Sequence, residues 1–196
     1  DCLKRNSSIH NLLLWCNYSN IAGGAGQEIL QAYQENNSQL TILSIGHARL
    51  QNGGDRVIGD TLRCCRNLQK VELNDCNITD EQLLPIAEAV RGHRMLEVLD
   101  LYENNIGNAG CDTIATLLTD PNCNLRVLHL GRNALDNEGA TTIANSLTNN
   151  NKLQQLYLYG NPIDQIIQAV FSNILCNTSN INSVYASNHT LNILSL

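Results

Sequence analysis

The sequence predicts an α/β solenoid: a right-handed horseshoe of about seven repeats, with a parallel sheet on its concave side and helices on its convex side. Two observations carry this. An apolar pattern of strand type recurs at one spacing along nearly the whole chain, and a helical apolar pattern follows most of its copies.

The strand pattern is L-x-x-L-x-L-x-x-N/C. It fits at Ile9-Leu12-Leu14-Asn17, Leu40-Leu43-Ile45-Ala48, Leu68-Val71-Leu73-Cys76 and Leu96-Leu99-Leu101-Asn104. It continues at Leu125-Leu128-Leu130-Asn133, Leu153-Leu156-Leu158-Asn161 and Ile181-Val184-Ala186-His189. The starts at 9, 40, 68, 96, 125, 153 and 181 are therefore 31, 28, 28, 29, 28 and 28 residues apart. Ten residues after each start from the second unit on stand Leu50, Ile78, Ile106, Leu135, Ile163 and Leu191. The first unit reaches its equivalent two residues late, at Ile21, which places extra length in the turn after its strand.

Alternation in L-x-L predicts a short strand with one side inward. The ninth-position Asn or Cys stands where the chain leaves the strand, and its side chain can bond the backbone of neighbouring turns. Ala48 breaks that ladder, and His189 is a poor member of it. The second half of each unit predicts a helix. Thr79-Asp80-Glu81 precedes Leu83, Ile86, Ala87 and Val90, and later units place Ile114, Ala115, Leu118 and Ile143, Ala144, Leu147 on one face. Gly54, Gly110 and Gly139 recur at the helix starts, where close packing is expected, and Pro121 and Asn-rich loops end the helices. Strands want about 4.8 Å between them and helices about 8–10 Å, so stacked units curve with the strands inside.

Units such as LEVLDLYENNIGNAGCDTIATLLTD and LRVLHLGRNALDNEGATTIANSLTNN resemble the ribonuclease-inhibitor-like subfamily of leucine-rich repeat proteins over roughly residues 9–196. The resemblance implies a single leucine-rich repeat domain over 1–196 and a function exercised by binding other proteins. The subfamily includes ribonuclease inhibitors, ligand-sensing regions of larger NOD-like receptors, and GTPase-activating proteins for Ran. Solenoids need polar caps, residues 1–8 are short for one, and the chain stops soon after the seventh expected strand, so a fragment of a longer chain is expected.

Composition narrows the partner. A net charge of −6 gives no basic footprint for nucleic acid or an anionic membrane. No apolar run approaches the roughly 20 residues of a membrane span. The eight cysteines contain no C-x-x-C and read as small buried hydrophobes, which suits a reducing, intracellular (cytoplasmic) setting. Sequons at Asn6, Asn17, Asn36, Asn77, Asn177 and Asn188 point the other way. His10, His47, His93, His129 and His189 show no metal-ligand spacing, and Gly23-Gly24-Ala25-Gly26 lacks the Lys-Ser/Thr of a phosphate loop. The expectation is therefore no metal, no cofactor and no catalysis.

Positions three, five and seven of each unit are expected to face the concave side. Position five reads Leu13, Ser44, Glu72, Asp100, His129, Tyr157 and Tyr185; position seven reads Trp15, Gly46, Asn74, Tyr102, Gly131, Tyr159 and Ser187. Five of the chain's eight aromatics stand in these columns: Trp15, Tyr102, Tyr157, Tyr159 and Tyr185. Tyr and Trp supply large contact area at small entropic cost, while strand propensity and cross-strand stacking favour them for purely structural reasons. Charge is sorted too: Glu72, Asp75, Glu97, Asp100 and Glu103 on the third and fourth units, then Arg126, His129 and Arg132 on the fifth. Parallel register sets Glu72 against Asp100 and Asp75 against Glu103, which costs stability unless Lys70 and the fifth unit relieve it. The partner-binding candidates are Trp15, Glu72, Asp75, Asp100, Tyr102, Glu103, Arg126, His129, Arg132, Tyr157, Tyr159 and Tyr185, facing a protein or peptide of mixed charge. One alternative, GTPase activation of the Ran type, would look to Arg49 in a post-strand loop, although the family's surrounding motif is missing there; the other is the ligand-sensing repeat region of a larger NOD-like receptor.

Overall fold

A computed structural model describes residues 8–21, 24–35, 39–175 and 190–196. Seven strands form one parallel sheet in the order β1-β2-β3-β4-β5-β6-β7. They are β1 (Asn11–Trp15), β2 (Ile42–Gly46), β3 (Lys70–Asn74), β4 (Val98–Asp100), β5 (Val127–His129), β6 (Gln155–Tyr157) and β7 (Ile193–Ser195). Between them run α1 (Gly24–Glu35), α2 (Gly54–Cys64), α3 (Asp80–Arg91), α4 (Asn108–Leu118), α5 (Asn137–Ser146) and α6 (Ile166–Leu175). Each helix packs on its neighbours in sequence, as the α/β solenoid requires.

The register joins Leu12, Leu43, Val71, Leu99, Leu128, Leu156 and Leu194 into one inward row. From Leu43 to Leu156 this row is sealed from solvent, as are Ile45, Leu73, Leu101, Leu130 and Leu158 beside it and Leu50, Ile78, Ile106 and Leu135 beyond the turn. The helices close the core with Ile58, Leu62, Ile86, Val90, Ile114, Leu118, Ile143 and Leu147, while Ala115 is only half-buried. Of the cysteines, Cys65, Cys76, Cys111 and Cys123 are buried free thiols, Cys16 is half-buried and Cys64 is exposed.

The ninth-position side chains tie unit to unit. Asn104 Oδ1 accepts from the Cys76 and Ile78 amides at 3.1 and 2.9 Å, and its Nδ2 donates to the carbonyls of Leu73 and Leu101 at 2.8 and 2.9 Å. Asn133 and Asn161 repeat the arrangement one unit on each time. Cys76 donates its thiol to Ile45 O at 3.3 Å instead. Ala48, with no such group, is simply buried.

The seventh strand corrects the expected register. It is Ile193–Ser195, where Leu191, Leu194 and Leu196 also fit the strand pattern, and Ser195 is the residue opposite Tyr157. The expected unit starting at Ile181, with Tyr185 and His189, lies outside the described residues.

Candidate protein-binding face

The sheet face opposite the core carries a column of Cα partners Leu13, Ser44, Glu72, Asp100, His129, Tyr157 and Ser195. Beside it, Trp15, Gly46 and Asn74 are paired in the same way. Just past the strands, the eighth residues His47, Asp75, Glu103, Arg132 and Gly160 all take positive φ, between 51 and 75°. That left-handed turn brings the four polar side chains to the rim of the face, at a backbone cost that only the glycine escapes.

His129 is the hub. Its ring lies 4.9 Å from Tyr157, stacked, and 5.1 and 5.4 Å from Tyr102 and Tyr159, edge to face. Gly131 makes room: a Cβ there would sit 2.8 Å from His129 Cε1. The Gly131 amide donates to Nδ1 at 3.2 Å, so the ring proton is on Nε2, which reaches Tyr159 Oη at 3.3 Å. Asp100 Oδ1 stands 3.9 Å from Nδ1 and accepts from the Tyr102 amide at 3.0 Å. Burial holds His129 below its ordinary pKa against the pull of Asp100. Burial likewise holds the Asp100 carboxyl above its ordinary value, against the Tyr102 amide, with Glu72 adding to the rise.

The predicted charges are brought together, but as rungs rather than as two separate patches. Glu97 meets Arg126 at 3.6 Å and Glu103 meets Arg132 at 3.5 Å, so the second, fifth and eighth positions of the fourth unit each face a basic residue of the fifth. Glu72 is held by Lys70 at 2.6 Å. The anticipated like-charge conflict is thus partly relieved within the face, and Arg132 also lies over the Tyr102 ring at 5.8 Å.

Trp15 belongs to a second cluster. Its ring is 4.8 Å from His47, whose Nδ1 is 2.5 Å from Asp75 Oδ2. Tyr18 packs edge-on to His47 at 5.4 Å and donates to Asp75 Oδ2 at 2.8 Å. Trp15, Leu13 and Tyr18 are 68, 61 and 55% exposed. Tyr18 and His47 escaped the sequence reading. The only signal was the two-residue insertion in the first turn, where Asn17 and Tyr18 both adopt left-handed φ. Arg49, the residue of the GTPase alternative, is exposed, and its backbone is bonded to Ser19 and Ile21. On the convex side, a groove of about 270 Å³ lies between α3 and α4, lined by Leu84, Ala87, Arg91 and Thr113 among others. Among the described residues no group of three His, Cys, Asp or Glu is placed to hold a metal, and no helix is long and apolar enough to cross a membrane.

Three segments, 64–87, 92–115 and 122–144, match the Leucine Rich repeat family. The chain is 33% identical to mouse (Mus musculus) NACHT, LRR and PYD domains-containing protein 12 over 65% of its own length and 12% of that protein. It is 29% identical to pig (Sus scrofa) ribonuclease inhibitor over 63% of its length and 33% of that protein. This chain is a leucine-rich repeat protein of the ribonuclease-inhibitor-like kind. Among solved structures, leiomodin-1 actin-binding site 2 superposes with a TM-score of 0.58 at 17% identity, over 70% of this chain and 76% of that one. A Listeria monocytogenes internalin superposes at 0.52 and 20% identity, over 87% and 47%. Both share the fold of this leucine-rich repeat chain. Of the curated relatives named, it spans a third of one and about an eighth of the other.

Proposed function

We propose that the chain is a protein-interaction module that takes a protein or peptide partner on the concave strand face and its adjoining turns. The observation that carries this reading is the gathering of Tyr102, His129, Tyr157 and Tyr159, from three successive units, into one aromatic cluster. Clustered tyrosines are the usual anchors of a binding hot spot, and here Tyr102 and Tyr157 are half-buried and Tyr159 is exposed. The similarity to a protein named for inhibiting ribonuclease supports a protein partner. The contact surface then runs from Glu72 and Asp75 through Asp100, Glu103, Arg126 and Arg132 to Tyr159, with Trp15 at its amino-terminal end.

The test is selection of peptides from a random phage-displayed library on the wild-type chain, followed by binding to two variants. Tyr157→Ala/Tyr159→Ala is expected to weaken selected peptides at least tenfold, while Leu84→Asp in the convex groove leaves them unchanged. Peptides that follow Leu84→Asp and ignore the tyrosines would move the binding site to the helices.

A further inference from the structure

The described charges of the concave face are unevenly matched. Glu97 and Glu103 each meet an arginine, and Asp75 is engaged by His47 and Tyr18. Glu72 and Asp100 stand directly opposite one another on β3 and β4, with side chains only 22 and 21% exposed. One full cation, Lys70, serves both, and its amine sits on Glu72. The other basic neighbour of Asp100 is His129, whose Nδ1 is 3.9 Å away and already accepts the Gly131 amide, so that the ring brings no charge. Two desolvated carboxylates therefore share about one positive charge.

The surroundings suit a cation. The rings of Tyr102, Tyr157 and Tyr159 stand around the same hub, and a guanidinium already lies over one of them: Arg132 over Tyr102, 5.8 Å from its centroid. Carboxylates and ring faces together ask for a donor-rich, positively charged group.

Resting on the concave-face reading above, we propose that the Glu72–Asp100 pair and the tyrosines beside it receive a Lys or Arg side chain from an extended basic segment of the partner protein. The partner is then basic rather than of mixed charge. A protein segment suits this face better than a small cation, because the exposed Leu13, Trp15 and Tyr18 continue it with apolar contact area at the amino-terminal end.

The probe is an acetylated, amidated nine-residue peptide with Arg at alternate positions in a Gly/Ser background. Gln and Glu versions of the same length are its controls. Each is titrated into the isotope-labelled full chain at low salt and followed by amide chemical shifts. The Arg peptide is expected to move the amides of Asp100–Glu103, His129–Gly131 and Tyr157–Tyr159, and to bind at least tenfold more tightly than the Gln peptide. Asp100→Asn and Glu72→Gln, each checked for an unchanged melting profile, should each weaken it severalfold; if one fails to fold, the other reads the same charge from the adjoining strand. Equal binding of the Gln or Glu peptide, or shifts confined to other surfaces, would overturn the proposal. Library peptides that need Tyr157 and Tyr159 yet carry no basic residue would sink the cation while leaving the concave face in place.

Discussion

Asn133 concentrates the logic of the stack in one side chain. It accepts from the Ile106 amide at 3.0 Å and donates to the carbonyls of Leu101 and Leu130 at 2.9 and 3.2 Å. Removing it strands the Ile106 amide, which costs about 1–3 kcal/mol when left unsatisfied, while Leu101 O and Leu130 O keep the donors Asn104 and Asn161. Asn133→Ala is expected to lower the unfolding free energy by about 1–3 kcal/mol in urea titration. Asn133→Asp should also destabilise, because a carboxylate cannot donate to Leu101. A change within experimental error would refute the ladder. Histidine sets the acid limit. His93 is sealed in the core with Nε2 donating to Cys65 O at 2.9 Å, and burial lowers its pKa, as it does for His129. The unfolded chain then binds more protons below about pH 6.5, so this stability is present above that pH and is lost as the pH falls through it. Urea titrations at pH 7.5 and 5.5 should show the loss, and His93→Gln should shrink it. Binding of a basic segment should also weaken as the pH falls. His129 faces Asp100 and Tyr102 from the fourth unit and Tyr157 and Tyr159 from the sixth; protonated, it supplies the counter-charge itself, while protonation of Asp100 removes the attraction.

At the scale of elements, the helix-start glycines set how closely units stack. A Cβ on Gly139 would lie 2.5 Å from Asn108 Oδ1 and 2.8 Å from Cys111 Sγ, both on α4. Helix propensity alone favours alanine there by about 1 kcal/mol, yet overpacking costs about 1–3 kcal/mol. Gly139→Ala should therefore lower the melting temperature, and a rise would mean that the α4–α5 contact is loose. The sequence made the second to sixth units legible because each buried position repeats at one interval and a slip would turn leucines to solvent. The last unit was not legible, since Ile181-Val184-Ala186 and Leu191-Leu194-Leu196 both satisfy the pattern, and only pairing with β6 selects the second. The concave column could be read as far as Tyr157. The Tyr18–His47–Asp75 cluster could not, because it depends on a left-handed turn inside an insertion, and the pairing of Glu97 with Arg126 depends on the spacing between units.

Among the described residues each helix and strand packs mainly on those of the units beside it, so the seam between the fourth and fifth units bears on both stability and binding. Its outer pairs, Glu97–Arg126 and Glu103–Arg132, are about half exposed, and such pairs contribute about 0–1 kcal/mol. A double-mutant cycle with Glu103→Gln and Arg132→Gln should give a coupling below about 1 kcal/mol. A value of about 2 kcal/mol or more would make these charges part of the scaffold rather than of the contact surface. The account stands or falls on which side of the solenoid meets the partner. The most direct measurement is amide chemical-shift mapping of the full chain with a library-selected peptide bound. Perturbations running from Glu72 through His129 to Tyr159 are the predicted result. Perturbations gathered on α3 and α4, around Leu84 and Thr113, would contradict it.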